Sequence, residues 1–129
     1  MTAVLLAEDS YVVGIEDVVR YAGASGDFTA IHYDPDALHD AGYETFFAMG
    51  MLVAGRLGAL VSRAFGDEAV REIEVRFLAP SWFGRRVTCT VELLSHVQHH
   101  GCLALALQAV DDTGLEVARG RAFVAAEEQ

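Results

Sequence analysis

The run AMGMLVAGRLGALVSRA, residues 48–64, decides the fold of this 129-residue chain. Its large apolar residues recur among glycines and alanines, so small residues fall on several faces of a helix wound from it. That pattern is typical of a long buried helix that other backbone approaches closely. The sequence therefore predicts a central helix over residues 48–64, which ends at Phe65-Gly66-Asp67.

After residue 69 the spacing of apolar residues changes from the helical period to alternation. Ile73, Val75 and Phe77 alternate with charged residues, which predicts a strand. Three more strand-like runs follow, at residues 87–94, 103–110 and 117–125. Consecutive strands joined by short turns predict an antiparallel β-sheet. Because the helices come first and the strands second, we expect an α+β domain whose sheet wraps the long central helix.

The N-terminal third contains shorter elements. We predict an edge strand or arm at residues 3–7 that continues at 11–13 after a turn at 8–10, helices at 15–23 and 35–40, and an extended bridge at 45–47. Gly23 and Gly26 are expected to end the first helix. Asp34 suits the N-cap of the second helix and Pro35 its first position.

The composition excludes several classes of function. Nineteen acids oppose nine bases, all arginine, for a net charge of −10, which disfavours nucleic acid or an anionic membrane as a partner. No apolar run approaches the roughly 20 residues of a membrane span, and the first ten residues do not resemble a signal peptide. We therefore expect a cytoplasmic protein. A hydrophobic content of 53% favours an oligomer or an acyl-binding protein.

Neither cysteine nor histidine has the spacing of a metal site. Cys89 and Cys102 lie in predicted strands and are expected to be free thiols. His96, His99 and His100 cluster at a predicted hairpin without acid or cysteine partners, so we interpret them as a solvated turn. We expect no metal and no cofactor.

Asp27 and His32 lie five residues apart in the turn-rich segment YAGASGDFTAIHYDP, residues 21–35. An ionised carboxylate and an imidazole can hold one water and move its protons. The spacing leaves a second interpretation open, in which Asp27 caps a turn and His32 is a hydrogen-bonded loop histidine. Gly50 begins the long helix, where its N–H has no intrahelical partner and could bind a polarised carbonyl oxygen.

The phrases SGDFTAIHYDP and AMGMLVAG together resemble the MaoC-like, or (R)-specific enoyl-CoA hydratase, family of hot-dog-fold proteins. The family signature is matched in register by Tyr21, Ser25, Gly26, Asp27, Ile31, His32 and Asp34. The segment EIEVRFLAPSWFGRRVT, residues 72–88, is similar to the family's strand–Pro–Gly–strand element. The resemblance covers nearly the whole chain and implies one hot-dog domain over residues 1–129.

The resemblance implies a hydro-lyase. Asp27 and His32 would activate a water that adds to C3 of a trans-2-enoyl thioester, or the reverse would dehydrate a (3R)-hydroxyacyl thioester, carried by CoA or acyl carrier protein. The Gly50 N–H would bind the thioester carbonyl oxygen. Residues expected to line the substrate are Ser25, Thr29, Met49, Met51, Ala54 and Gly58.

Three positions depart from the family pattern. The family's Asn-Pro after the aspartate is Thr29-Ala30 here, and its usual histidine before Gly-Met is Met49. Gly58 stands where some members carry a serine that supports the aspartate. These departures keep a non-catalytic acyl-binding or heterodimer subunit open as an alternative.

A hot-dog thioesterase is the other alternative. Its acid usually lies on the long helix, and the absence of any acid between Ala48 and Phe65 counts against it. Because a small hot-dog domain exposes a sheet edge and one flank of its helix, we expect a homodimer or a heterodimer with another hot-dog subunit. Trp82 and Phe83, in a predicted loop, would line the dimer contact or the ligand entrance.

Overall fold

A computed structural model describes residues 3–99 and 101–126, without the side chains of residues 3 and 95–99. The strands are β1 (Ala3–Val12), β2 (Phe47–Ala48), β3 (Val70–Phe77), β4 (Ser81–Trp82), β5 (Arg86–His99), β6 (Cys102–Asp111) and β7 (Glu116–Ala125). The α-helices are α1 (Ile15–Ser25), α2 (Pro35–Asp40) and α3 (Gly50–Phe65), and short 3₁₀ turns occupy Ala30–His32 and Asp67–Ala69.

Five strands form an antiparallel sheet in the order β1-β5-β6-β7-β3, and β2 pairs with β4 in a separate two-stranded ladder. The prediction that short turns join the consecutive strands is wrong after β3, which lies at the far edge of the sheet and pairs with β7. The reason lies in the connection after β3. It contains Pro80 and pairs with β2 through Phe47 and Trp82, so it is not a tight hairpin turn.

Helix α3 lies across the inner face of this sheet. Leu57 and Val61 are fully buried on it, against sheet residues such as Val91 and Leu105 that are equally inaccessible. The predicted α+β arrangement, a sheet packed around one long helix, is therefore present. The predicted range 48–64 begins two residues too early, because Ala48 pairs with Ser81 as part of β2. The helix begins at Gly50, the residue that was expected at its start.

The N-terminal segment is one continuous strand, so the predicted turn at residues 8–10 is wrong. Its pairing with β5 runs from Ala3 opposite Leu94 to Val12 opposite Arg86. The ladder satisfies the backbone through the polar stretch, and the Asp9 carboxylate there accepts from Arg63 at 3.0 Å. Strand pairing thus outweighs the turn preference of an Asp-Ser pair.

The two short helices follow their end signals. Helix α1 runs to Ser25, two residues beyond the prediction, because Gly26 adopts the left-handed conformation (φ 79°) and its N–H bonds the Ala22 carbonyl. Helix α2 matches the prediction, and the Asp34 side chain accepts the Asp36 N–H at 3.0 Å as its N-cap.

Two findings bear on the remaining expectations. Cys89 and Cys102 are both free, as predicted. Among the helices of residues 3–99 and 101–126, none combines the length and the apolar character that crossing a membrane requires.

Candidate active site

The loop that follows α1 holds Asp27 in a fixed orientation. Ser25 Oγ donates to the Tyr21 carbonyl at 2.7 Å and accepts the Asp27 N–H at 3.1 Å, which ties the loop to the helix end. The Asp27 Oδ1 accepts two hydrogen bonds from Thr29, from its hydroxyl at 2.6 Å and from its N–H at 3.2 Å. Within the described part of the chain, Oδ2 has no hydrogen-bond donor.

These contacts keep Asp27 ionised. The Thr29 hydroxyl is the largest cause that lowers the pKa of the Asp27 carboxyl, followed by the Thr29 amide, and the nearby charge of His32 lowers it further. Burial acts in the opposite direction, and it is a smaller cause than either hydrogen bond from Thr29 but a larger one than the His32 charge. Asp27 therefore presents one negatively charged oxygen, Oδ2, that is free to accept a proton or a hydrogen bond.

His32 closes the 3₁₀ turn and is only 8% exposed. Its Nδ1 lies 2.9 Å from the Phe47 carbonyl oxygen, and its ring meets the Phe47 ring edge-to-face at 5.2 Å between centroids. A carbonyl can only accept, so Nδ1 must carry the hydrogen. In the neutral ring the lone pair then lies on Nε2, which makes that atom available as a base.

Gly50 is the first residue of α3, so its N–H has no intrahelical acceptor and lies at the positive end of the helix dipole. The ring of Phe77 packs against it. A Cβ built at residue 50 would stand 3.2 Å from the nearest ring carbon.

A cavity of about 400 Å³ opens at this point. Gly50, Phe47 and Phe77 line it together with Val53, Ser81 and Val117. Its walls are mainly apolar, and Phe47 links it to the histidine, because the carbonyl of the same residue accepts the His32 hydrogen bond. Phe47 thus connects His32 to the cavity that Gly50, at the N-terminus of α3, also lines.

The remaining predicted site residues are placed differently. Met49 is the N-cap of α3 and is 3% exposed, whereas Met51 is 57% exposed. Ala54 and Gly58 are partly exposed on α3, and Gly58 faces the side chain of Ile73, four residues before Phe77 on β3. Ser25 and Thr29 contact Asp27, and neither lines the cavity beside Gly50.

Two participants were missed in the sequence. Phe47 contacts His32 through its backbone carbonyl. Every residue has such a carbonyl, so the sequence does not indicate which one accepts the hydrogen bond. Phe77 was assigned only to the alternation of a strand, although its position next to Gly50 depends on how β3 packs along α3. Trp82, which was expected in a loop, lies in β4 and meets the Phe47 ring at 5.6 Å between centroids.

The histidine cluster at residues 96, 99 and 100 lies outside the described side chains, so its interpretation stays a prediction. In the part of the chain that the structure describes, no three His, Cys, Asp or Glu side chains converge as metal ligands.

Sequence comparison places this chain beside a known domain family. Residues 2–110 match the profile of the MaoC like domain. A curated relative is the mitochondrial 3-hydroxyacyl-[acyl-carrier-protein] dehydratase of Arabidopsis thaliana, which is 26% identical over 87 residues, 67% of this chain and 52% of the relative. The chain thus spans about half the length of that relative.

Solved structures show the same fold. The (R)-hydratase from A. caviae involved in PHA biosynthesis superposes with a TM-score of 0.85 at 22% identity, over 98% of both chains. A chain of the ChsH1–ChsH2 complex from Mycobacterium tuberculosis superposes with a TM-score of 0.84 at 18% identity, also over 98% of both chains. The predicted hot-dog fold is confirmed.

Proposed function

Because the chain belongs to the MaoC-like domain family, we propose that it is a hydro-lyase for acyl thioesters. In one direction it adds water to a trans-2-enoyl thioester, and in the other it dehydrates a (3R)-hydroxyacyl thioester. The names of two similar proteins, a 3-hydroxyacyl-[acyl-carrier-protein] dehydratase and an (R)-hydratase, support this reaction class. The acyl carrier is CoA or acyl carrier protein.

One observation carries the proposal: in the part of the chain that the structure describes, Asp27 and His32 each have one polar side-chain atom in a hydrogen bond and one without. Oδ1 is held by Thr29 and Nδ1 by the Phe47 carbonyl, which leaves Oδ2 and Nε2 for a shared water. A carboxylate and a neutral imidazole suit this task because both accept hydrogen bonds.

The reaction needs one proton to travel from water to carbon. His32 Nε2 takes a proton from the water while the water oxygen bonds to C3 of the enoyl group, and Asp27 Oδ2 holds the second water hydrogen. The C2–C3 π electrons move toward the thioester oxygen and form an enolate. The imidazolium returns its proton to C2, which restores the thioester and leaves His32 neutral.

The enolate oxygen needs a donor at the moment when its charge develops. The Gly50 N–H at the positive end of α3 serves as that donor. The apolar cavity beside it offers room for the acyl chain next to the reacting carbons.

We also propose that the protein works as a dimer with a second hot-dog subunit, identical or homologous. Ile73 and Phe77 on the inner face of the edge strand β3 are 38% and 49% exposed, and Met51 on α3 is 57% exposed. Light scattering of the purified chain, alone and mixed with a candidate partner, tests this assembly.

The thioesterase alternative has less support. Helix α3 carries no Asp or Glu along its whole length, Gly50–Phe65, so no carboxylate on it can direct water at the thioester carbonyl. The charged oxygen next to the site belongs to Asp27 in the loop after α1.

The decisive experiment follows loss of the enoyl absorbance of crotonyl-CoA, of longer enoyl-CoAs and of an enoyl chain on acyl carrier protein. We expect wild-type protein to hydrate at least one of them and Asp27→Asn and His32→Ala to lose about 100-fold or more in kcat. Thioester hydrolysis without hydration would favour the thioesterase. No turnover of any substrate, with and without a partner subunit, would sink the hydro-lyase proposal.

A further inference from the structure

Asp27 and Thr29 form an Asp-x-Thr unit in which both donors of the threonine reach the same carboxylate oxygen. The hydroxyl lies 2.6 Å from Oδ1 and the amide nitrogen 3.2 Å. Two donors on one oxygen restrict rotation of the carboxylate, so Oδ2 points in one direction. The hydroxyl bond is the shorter of the two, and it requires a side-chain donor at residue 29.

The same unit occurs a second time in the chain, away from the site. In the turn between β6 and β7, Asp111 Oδ1 accepts the Thr113 hydroxyl at 2.5 Å and the Thr113 N–H at 2.8 Å. There the Leu115 N–H also bonds Oδ1, and Asp111 is 5% exposed. The Asp111–Thr113 pair stabilises the backbone of a turn and has no role in the proposed reaction. It therefore serves as an internal reference for the purely structural effect of an Asp-x-Thr unit.

We infer that Thr29 is a positioning residue for the hydration reaction: its hydroxyl orients Asp27 so that Oδ2 faces the water shared with His32. The inference rests on the proposed function. Residue 29 occupies the position where the resembled family carries Asn, so a side-chain donor is present in both cases, although through a different group. A single hydroxyl proton makes one strong bond and leaves Thr29 without a second proton for the substrate.

The charge of His32 also lowers the pKa of Asp27, and it is a smaller cause than either hydrogen bond from Thr29. No acid lies in the first turn of α3, and the acids nearest in sequence, Asp34 and Asp36, belong to the start of α2, where Asp34 caps the helix. Loss of the Thr29 hydroxyl therefore changes the largest local influence on the carboxyl and leaves the others in place.

The test combines a carboxyl titration with kinetics on Thr29→Val, Thr29→Ser and the matched control Thr113→Val. Carbon-13 NMR of the aspartate carboxyls gives the pKa of Asp27 in each protein without turnover. We expect Thr29→Val to raise that pKa and to lower kcat about 10-fold with KM within about twofold. Thr29→Ser keeps the wild-type values, and Thr113→Val raises only the pKa of Asp111.

An unchanged Asp27 pKa in folded Thr29→Val overturns the inference, and so does a shifted pKa with unchanged kcat. If Thr29→Val does not fold, Thr29→Ala carries the same measurement. Failure of the proposed function is a separate result, because wild-type protein without hydratase activity still gives a titration of Asp27.

Discussion

The Nδ1–H of His32 donates to the carbonyl oxygen of Phe47 at 2.9 Å, across fifteen residues of sequence. This bond selects the tautomer of a ring that is 8% exposed, and it ties the turn after α1 to the strand that leads into α3. His32 therefore has two separable roles, one structural through Nδ1 and one chemical through Nε2.

Replacement of His32 by Asn separates these roles. The Asn amide can replace the Nδ1–H donor to Phe47 but offers no base at the position of Nε2. We expect His32→Asn to lose at least about 100-fold in kcat while its thermal midpoint stays near that of wild type. His32→Ala also leaves the Phe47 carbonyl without its donor, which costs about 1–3 kcal/mol of unfolding free energy. Equal stability of the two variants would contradict a structural role of the Nδ1 bond.

The lowered pKa of Asp27 determines one limb of the pH profile. The pKa of Asp27 in the folded protein is below its value in the unfolded chain. Ionised Asp27 therefore stabilises the fold at any pH above the ordinary pKa of aspartate. Both this stabilisation and the negative charge are lost as pH falls through the folded pKa. We expect no loss of kcat/KM from Asp27 across the ordinary range of aspartate titration. A profile measured with circular dichroism at each pH checks this, and an acid limb within that range in folded protein would contradict it.

Much of the fold could be predicted from the sequence because each element is locally consistent. The period of 3.6 around residues 50–65 and the alternation after residue 69 are both present in the structure. The order of the strands could not be predicted, because the position of β3 at the far edge depends on the ladder between Phe47 and Trp82, two residues far apart in sequence. The turn predicted at residues 8–10 is absent for a similar reason, because pairing with β5 determines the conformation of this polar stretch.

In the candidate site, too, features with a local sequence pattern could be predicted and those that depend on tertiary packing could not. Asp27, His32 and Gly50 could be proposed from the sequence, because a carboxylate, an imidazole and a glycine at a helix start each indicate a chemical role. The Phe47 carbonyl gives no such indication, because every residue offers a carbonyl and only the fold decides which one reaches an imidazole. The same holds for Phe77, whose contact with Gly50 arises from the packing of β3 on α3.

The contact between Gly50 and Phe77 predicts a steric coupling at the helix N-terminus. A methyl group at residue 50 would press on the ring at 3.2 Å, and the half-exposed ring must move. We expect Gly50→Ala to lower kcat/KM about 10-fold, because the methyl and the displaced ring crowd the oxygen position at the Gly50 N–H. The double variant Gly50→Ala/Phe77→Leu should recover part of the loss. Additive effects in this cycle would show that the two positions are not coupled.

Arg56 joins three elements and should matter more than a surface arginine. Its guanidinium lies 4.2 Å from the Tyr11 ring centroid and 3.2 Å from the Asp17 carboxylate, whereas Arg20 pairs with Glu16 in full exposure. We expect Arg56→Ala to cost about 1–2 kcal/mol of unfolding free energy and Arg20→Ala at most about 0.5. Urea unfolding of both variants measures the difference, and similar losses would contradict a tertiary role for Arg56.

Gly120 is required by the close approach of β7 to β3. A Cβ at this residue would stand 1.9 Å from the Glu74 carbonyl oxygen, which is backbone and cannot rotate away. The strand pair would have to separate, so we expect Gly120→Ala to lose about 3 kcal/mol of unfolding free energy. Gly23→Ala is the matched control, since a Cβ at residue 23 of α1 meets nothing within 4 Å. There the same change should stabilise by about 0.5–1 kcal/mol, because alanine is the better helix former. Urea midpoints that shift in the same direction for both variants would show that β3 can move away from β7 at little cost.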